Sequence, residues 1–356
     1  MTKQKELDYT PHFHEAATNI ANENGLFLSI LNVPSNPEHF EENVAESGRH
    51  TYFDIENFRH EHQSEIEKFN DEYDEQVVLG EDKGEQLGVR IVNRGEKPTI
   101  VVFSTWSTDS KWENTKGIIE AMALTMPEYQ IVYVDTPGMG KSTKATSERM
   151  KIMQQTGSFE PLADQIVPLL NELGADVTLT CGISEGTREA ISVGGQLGSD
   201  VIALDSPGTN ERTFTEMIKG FSMVEGKRQK EVKKHSPDKK MVEAHTKRDQ
   251  ARFYYSDIPL WLVRKNRLLA RVQAMQKEGL KTDIERATSK GSRILDYRFE
   301  ASAVADSDVA LEISRGNENY DALVLPNAPH SIVETNPYAI AALIKNGIEL
   351  RKTDSI

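Results

Sequence analysis

The 356-residue chain predicts an α/β fold, with a mostly parallel central sheet flanked by helices. Two observations carry that expectation. Short apolar runs such as Ile100-Val101-Val102-Phe103 suit strands buried on both faces. These runs alternate with segments of helical spacing, the pattern of crossover connections between parallel strands. A third observation bounds the domain: a charged, helix-compatible stretch interrupts the alternation between residues 211 and 292.

Taken in order, residues 1–75 read as a mainly helical, acidic extension with a break at NVPSNP (32–37). The character changes at Gln76. VVLGEDKGEQLGVRIVNRG (77–95) reads as two short strands joined through turn residues. The apolar run in EKPTIVVFSTW (96–106) is the next strand, Trp112 to Met126 a helix, and IVYVD (131–135) a further strand. Residues 160–173 suit an amphipathic helix ending near Gly174. DVTLTCGIS (176–184) and DVIALDSPG (200–208) read as strands around a helix in EGTREAISVGGQLG (185–198). Beyond the insert, RILDYRFEASAV (293–304) and DALVLPN (321–327) return to strand character, and NPYAIAALIKNGIEL (336–350) closes with a helix. The expected core is therefore 76–210 together with 293–356. No internal repeat or low-complexity tract is present.

Composition narrows the class further. The chain is 37% hydrophobic and 28% charged, as in a soluble globular protein, and no apolar run approaches the length of a membrane span. The N-terminus, MTKQKELDYT, lacks the apolar stretch of a signal peptide. A single cysteine, Cys181, excludes an intrachain disulfide framework and reads as a small buried strand residue. A cytoplasmic location is expected. The formal net charge of −14 is unevenly spread. Residues 1–80 hold 17 Asp/Glu against 5 Lys/Arg, whereas 211–293 hold 21 Lys/Arg against 11 Asp/Glu. Two solvated surfaces explain this simply, and docking of the acidic segment on the basic one is the sharper reading. The basic stretch is interleaved with acids and carries no recognition motif, so no nucleic-acid partner is expected. The pairs His12/His14 and His60/His62 would each need an extended segment and a third ligand to hold a metal, and no metal is expected.

DTPGMGKST (135–143) superficially combines a phosphate-binding loop with a GTPase switch turn. The loop motif requires glycine five residues before Gly140, and that position is Asp135, whose carboxylate would repel phosphate. Pro137 removes a backbone donor, and no phosphate loop precedes the stretch. It reads instead as a turn at the carboxyl edge of the sheet, where open α/β sheets bind ligands.

Gly182-Ile183-Ser184-Glu185-Gly186 matches G-x-S-x-G, between a predicted strand and a predicted helix. A serine on such a turn projects its hydroxyl above the sheet, and the following helix aims N–H groups and its positive dipole end at it. A nucleophilic serine needs a base. His330, just after the last predicted strand, is the histidine placed to reach Ser184. The orienting carboxylate is expected on SAVADSDVAL (302–311), with Asp308 preferred to Asp306, and Asp296 and Glu300 behind them.

These residues resemble those of the α/β-hydrolase fold superfamily. IVVFSTW, DTPGMGKS, GISEG, ADSDV and APHSIVETNP follow the family's order, and Asp135, Pro137, Gly138, Gly140 and Ser142 fall on its D-x-P-G-x-G-x-S pattern. The resemblance implies an oxyanion hole from the N–H groups of Glu185 and Trp106, although Ser104-Thr105 stands where the family has His-Gly. It also implies that 211–292 is a basic helical cap over the active site. The activity implied is hydrolysis of an ester, or secondarily an amide, in a small-molecule acyl substrate, with no cofactor. The alternatives are an inactive binding protein of the same fold and an acyltransferase using the same residues. A homo-oligomer is compatible with the sequence.

Overall fold

A computed structural model describes residues 60, 62–72, 74–79, 84–104, 111–208, 277–299, 302, 305–325, 330 and 337–353. Residues 211–276 of the expected cap and most of the N-terminal extension, including the helical reading of 1–59, lie outside the described residues, whereas Lys277–Ser289, also expected in the cap, form a helix whose Leu280 and Ile284 sit in the core.

Eight strands form one sheet: β1 (Asp74–Leu79), β2 (Gln86–Val92), β3 (Thr99–Phe103), β4 (Gln130–Val134), β5 (Val177–Ile183), β6 (Asp200–Leu204), β7 (Ile294–Phe299) and β8 (Tyr320–Leu325). Their order across the sheet is β1-β2-β4-β3-β5-β6-β7-β8. The β1–β2 and β2–β4 pairings are antiparallel and all the others parallel. The chain order therefore reverses around β3, β4 and β5, and loops at the carboxyl ends of the central strands share one rim.

Eight helices are described: α1 (Gln63–Glu72), α2 (Lys111–Thr125), α3 (Ser147–Thr156), α4 (Glu160–Glu172), α5 (Gly186–Leu197), α6 (Lys277–Ser289), α7 (Ser307–Ser314) and α8 (Pro337–Thr353). Period-two alternation along β3 divides the core between the two faces of the sheet. Ile100 and Val102 face Ile118, Met122, Ile340 and Ile344 of α2 and α8. Val101 and Phe103 face the other way, into a cluster with Ile166, Ala190 and Ile284 of α4, α5 and α6. Every residue of β3 and β4 is buried, which is why these strands read as unbroken apolar runs.

Two helices were not anticipated. α3 begins where Thr146 accepts the N–H of Arg149 and ends at Gly157, whose φ of 67° terminates it. α7 begins where Asp306 accepts the N–H of Asp308, so SAVADSDVAL is not one loop: its second half is helix. The short strand run in 293–304 likewise stops at Phe299.

Pro137, Gly138 and Gly140 do form a turn beyond β4, with φ of 87° and 48° at the glycines. Asp135 fills its interior. Its Oδ1 lies 3.1 Å from Nη1 of Arg90, and its Oδ2 accepts the Lys141 N–H at 3.0 Å. A side-chain carbon on Gly140 or Gly88 would fall on this carboxylate. Thr136 donates to Oε2 of Glu189 at 2.6 Å and so ties the turn to α5.

Candidate active site

Ser184 follows β5 directly and adopts φ 55°, in the left-handed region that costs a residue with a Cβ roughly 1 kcal/mol or more. The surrounding hydrogen bonds hold it there. Its N–H donates to the Leu204 carbonyl at 2.8 Å, and its carbonyl accepts the N–H of Thr187 at 3.0 Å and the Thr187 hydroxyl at 2.6 Å. The two glycines of the motif permit close approach. A Cβ at Gly182 would overlap the Gly186–Thr187 backbone, and one at Gly186 would overlap the Phe103 and Ser104 carbonyls. The elbow is thus wedged between the start of α5 and the end of β3.

β6 lies beside β5, and the residue after Leu204 is Asp205. Its carboxylate is fully buried. Asp205 also has a positive φ, 59°. Its N–H donates to the Tyr297 carbonyl at 2.7 Å, and its Oδ1 accepts the Phe299 N–H at 3.1 Å. Its Oδ2 lies 2.5 Å from Nδ1 of His330, which is 6% exposed. The distance belongs to a charge-assisted hydrogen bond, in which the carboxylate holds the imidazole with its proton on Nδ1. Ser184 and this His–Asp pair stand on the same rim, since Ser184 is bonded to the residue that precedes Asp205.

The carboxylate on His330 is therefore not the one expected from the sequence. Asp308 is exposed in the first turn of α7, where a negative charge complements the helix dipole. Asp306 caps the same helix, and Asp296 bonds to Arg298 and Tyr320. Glu300 and Trp106 lie outside the described residues. Glu185 is buried at the start of α5. Asp205 is masked in the sequence by its place in DVIALDSPG, a single strand by pattern, whereas β6 ends at Leu204. Its signal was the same as at Asp135: an apolar run, then Asp, one residue, Pro and Gly.

A second layer of charge lies behind the site. Arg188 on α5 is fully buried and makes its ion pair with Asp283 of α6, 2.5 Å from Nη2. Asp283 also accepts the Ser158 hydroxyl at 2.5 Å and the Phe159 N–H at 3.1 Å. Burial pushes the Cys181 thiol far above its ordinary value, so it is an inert core residue. Among the described residues, no group of three His, Cys, Asp or Glu is placed to hold a metal ion, and no helix is long and apolar enough to cross a membrane.

The strand order, the elbow and the rim position of the His–Asp pair give the chain the α/β-hydrolase fold. Solved structures agree. The 2-hydroxy-6-oxo-6-phenylhexa-2,4-dienoate hydrolase of Rhodococcus sp. strain RHA1 superposes with a TM-score of 0.54 at 14% identity, over 78% of this chain and 100% of its own. Naproxen esterase (carboxylesterase NP) of Bacillus subtilis gives 0.50 at 13% identity, over 81% of this chain and 96% of its own. No family model and no curated protein matches the sequence. At such identities the likeness is one of fold.

Proposed function

We propose that the protein is a serine hydrolase that cleaves an ester, with an amide as second choice, in a small-molecule acyl substrate. The observation that carries this reading is Ser184 held at φ 55° on the rim that also bears the buried His330–Asp205 pair. In the proposed reaction Ser184 Oγ adds to the substrate carbonyl while Nε2 of His330 takes its proton. The oxyanion is held by the N–H groups of Glu185 and Trp106. His330 then protonates the leaving alkoxide, and the acyl-enzyme forms. Water, deprotonated by the same imidazole, releases the acid and restores Ser184. Asp205, and not Asp308, orients the ring and offsets the charge of the imidazolium. The steps require no metal or organic cofactor. We place the protein in the cytoplasm and assign 211–276 as the cap that selects the substrate, because α6, at the end of the expected 211–292, packs in the core.

A fluorophosphonate probe tests the reading directly, because it reacts with an activated serine whatever the natural acyl group. Labelling at Ser184 that disappears in Ser184→Ala is expected. Labelling at another residue, or none in the wild type, overturns the assignment in favour of a binding protein of this fold. Product analysis of an ester reaction with added alcohol separates hydrolysis from acyl transfer.

A further inference from the structure

Arg298 stands at the carboxyl end of β7 and is fully buried, as is Asp296 two residues before it on the same face of the strand. Its guanidinium reaches three elements. Nη1 donates to the carbonyl of Ser206, the residue after Asp205, and lies 3.3 Å from Oδ2 of Asp296. Nη2 donates to the Asp306 carbonyl at 2.9 Å. On β8, the Tyr320 hydroxyl donates to Asp296 Oδ2 at 2.8 Å. The next residue, Phe299, supplies the N–H that holds Asp205 Oδ1. The charged and titratable groups facing Arg298 are thus Asp205 after β6, Asp296 on β7 and Tyr320 on β8.

We propose that Arg298 is a positioning residue for the His330–Asp205 pair. Its planar fork clamps the turn that carries Asp205 to the entry of α7, and its charge faces the same carboxylate that orients His330. The inference rests on the proposed triad and adds to it a residue outside the reacting atoms. A fully buried cation is a poor stability device, since removing it from water costs several kcal/mol that a hydrophobic replacement avoids. Its fork is what a point charge could not supply: two donors in fixed directions, one for each loop. The electrostatic coupling is mutual. Asp205 and Asp296 both favour the charged guanidinium against the cost of burial. Asp205 makes ionisation of Asp296 harder, so the single cation is shared between two carboxylates.

The test compares Arg298→Met and Arg298→Lys with the wild type by two readouts. The first is the rate of fluorophosphonate labelling at Ser184, with kcat and KM on whichever ester the protein turns over. The second is the downfield proton resonance of His330 Nδ1–H, which reports the bond to Asp205 without any turnover. A shift of the loop by about 1 Å is expected to slow labelling and kcat by about 100-fold in Arg298→Met with little change in KM. The resonance should weaken or move upfield. Arg298→Lys should recover part of both, because it keeps the charge and loses the fork. If Arg298→Met fails to fold, Arg298→Lys alone decides: wild-type labelling and an unmoved resonance overturn the proposal. The same outcome in a folded Arg298→Met overturns it too. A wild type that is never labelled defeats the hydrolase reading instead. The resonance, tested against Asp205→Asn, still decides whether Arg298 positions the pair.

Discussion

Asp205 accepts backbone strain and complete burial, and three hydrogen bonds to β7 and His330 hold it in place. Asp308, by contrast, is exposed. The two positions therefore predict opposite responses. Asp205→Asn should lower kcat by about 10⁴-fold, as loss of the orienting carboxylate does in a serine triad. Asp308→Asn should leave kcat within a few-fold and change stability by no more than about 0.5 kcal/mol. Steady-state kinetics on one ester checks both. Asp296 gives a second residue-scale outcome. Burial pushes its carboxyl above the ordinary range, and Arg298 and Tyr320 offset part of that. As pH rises from about 4, the unfolded chain releases this proton before the folded one does. Asp296 thus makes the folded state lose stability until pH passes its raised value. Asp296→Asn should remove that downward slope, measured as the thermal midpoint across the acid range. A parallel pH dependence in both proteins would contradict it.

Among the elements, α5 and α6 are joined by the Arg188–Asp283 pair, which is buried where it meets the start of α4. Asp283→Ala leaves the guanidinium without its carboxylate and should cost about 3–5 kcal/mol of unfolding free energy by denaturant titration. Arg188→Met in the same background should return part of that loss, because the stranded charge is gone. The elements most legible in the sequence were those with one consistent pattern: β3 and β4 as continuous apolar runs, and α5 following G-x-S-x-G. The ones missed were set by single polar groups. Thr146 and Asp306 start α3 and α7 through cap hydrogen bonds, and neither helix has a long apolar stripe to announce it. The carboxylate that bonds His330 was harder to place. The positions of Ser184 directly after β5 and of His330 after β8 were legible, because the G-x-S-x-G turn and the last apolar run mark them. The carboxylate needed knowledge of which strand end lies beside β5, and β6 is adjacent only in the folded sheet.

On the scale of the whole molecule, the charge distribution sets up a test that concerns residues beyond the described sheet. With 17 Asp/Glu to 5 Lys/Arg in 1–80 and 21 Lys/Arg to 11 Asp/Glu in 211–293, attraction between the two would be screened by salt. Deletion of 1–59, which leaves α1 and β1 intact, is expected to flatten the ionic-strength dependence of activity or thermal midpoint. An unchanged dependence removes the idea of docking. The position of Asp205 has a different consequence, for the way the chain can be divided. Ser184 and Asp205 both precede residue 209, and His330 follows residue 276, so the whole intervening stretch separates acid from base along the chain. Across the break, β6 and β7 are paired in parallel from Val201 to Leu204, and Phe299 bonds Asp205. A protease site engineered within 209–276 would therefore yield two polypeptides, one bearing nucleophile and acid and the other bearing the base. Because the seam between them is an interior pair of strands, the cut protein should stay assembled and still react with the probe, as a split enzyme whose halves are complementary.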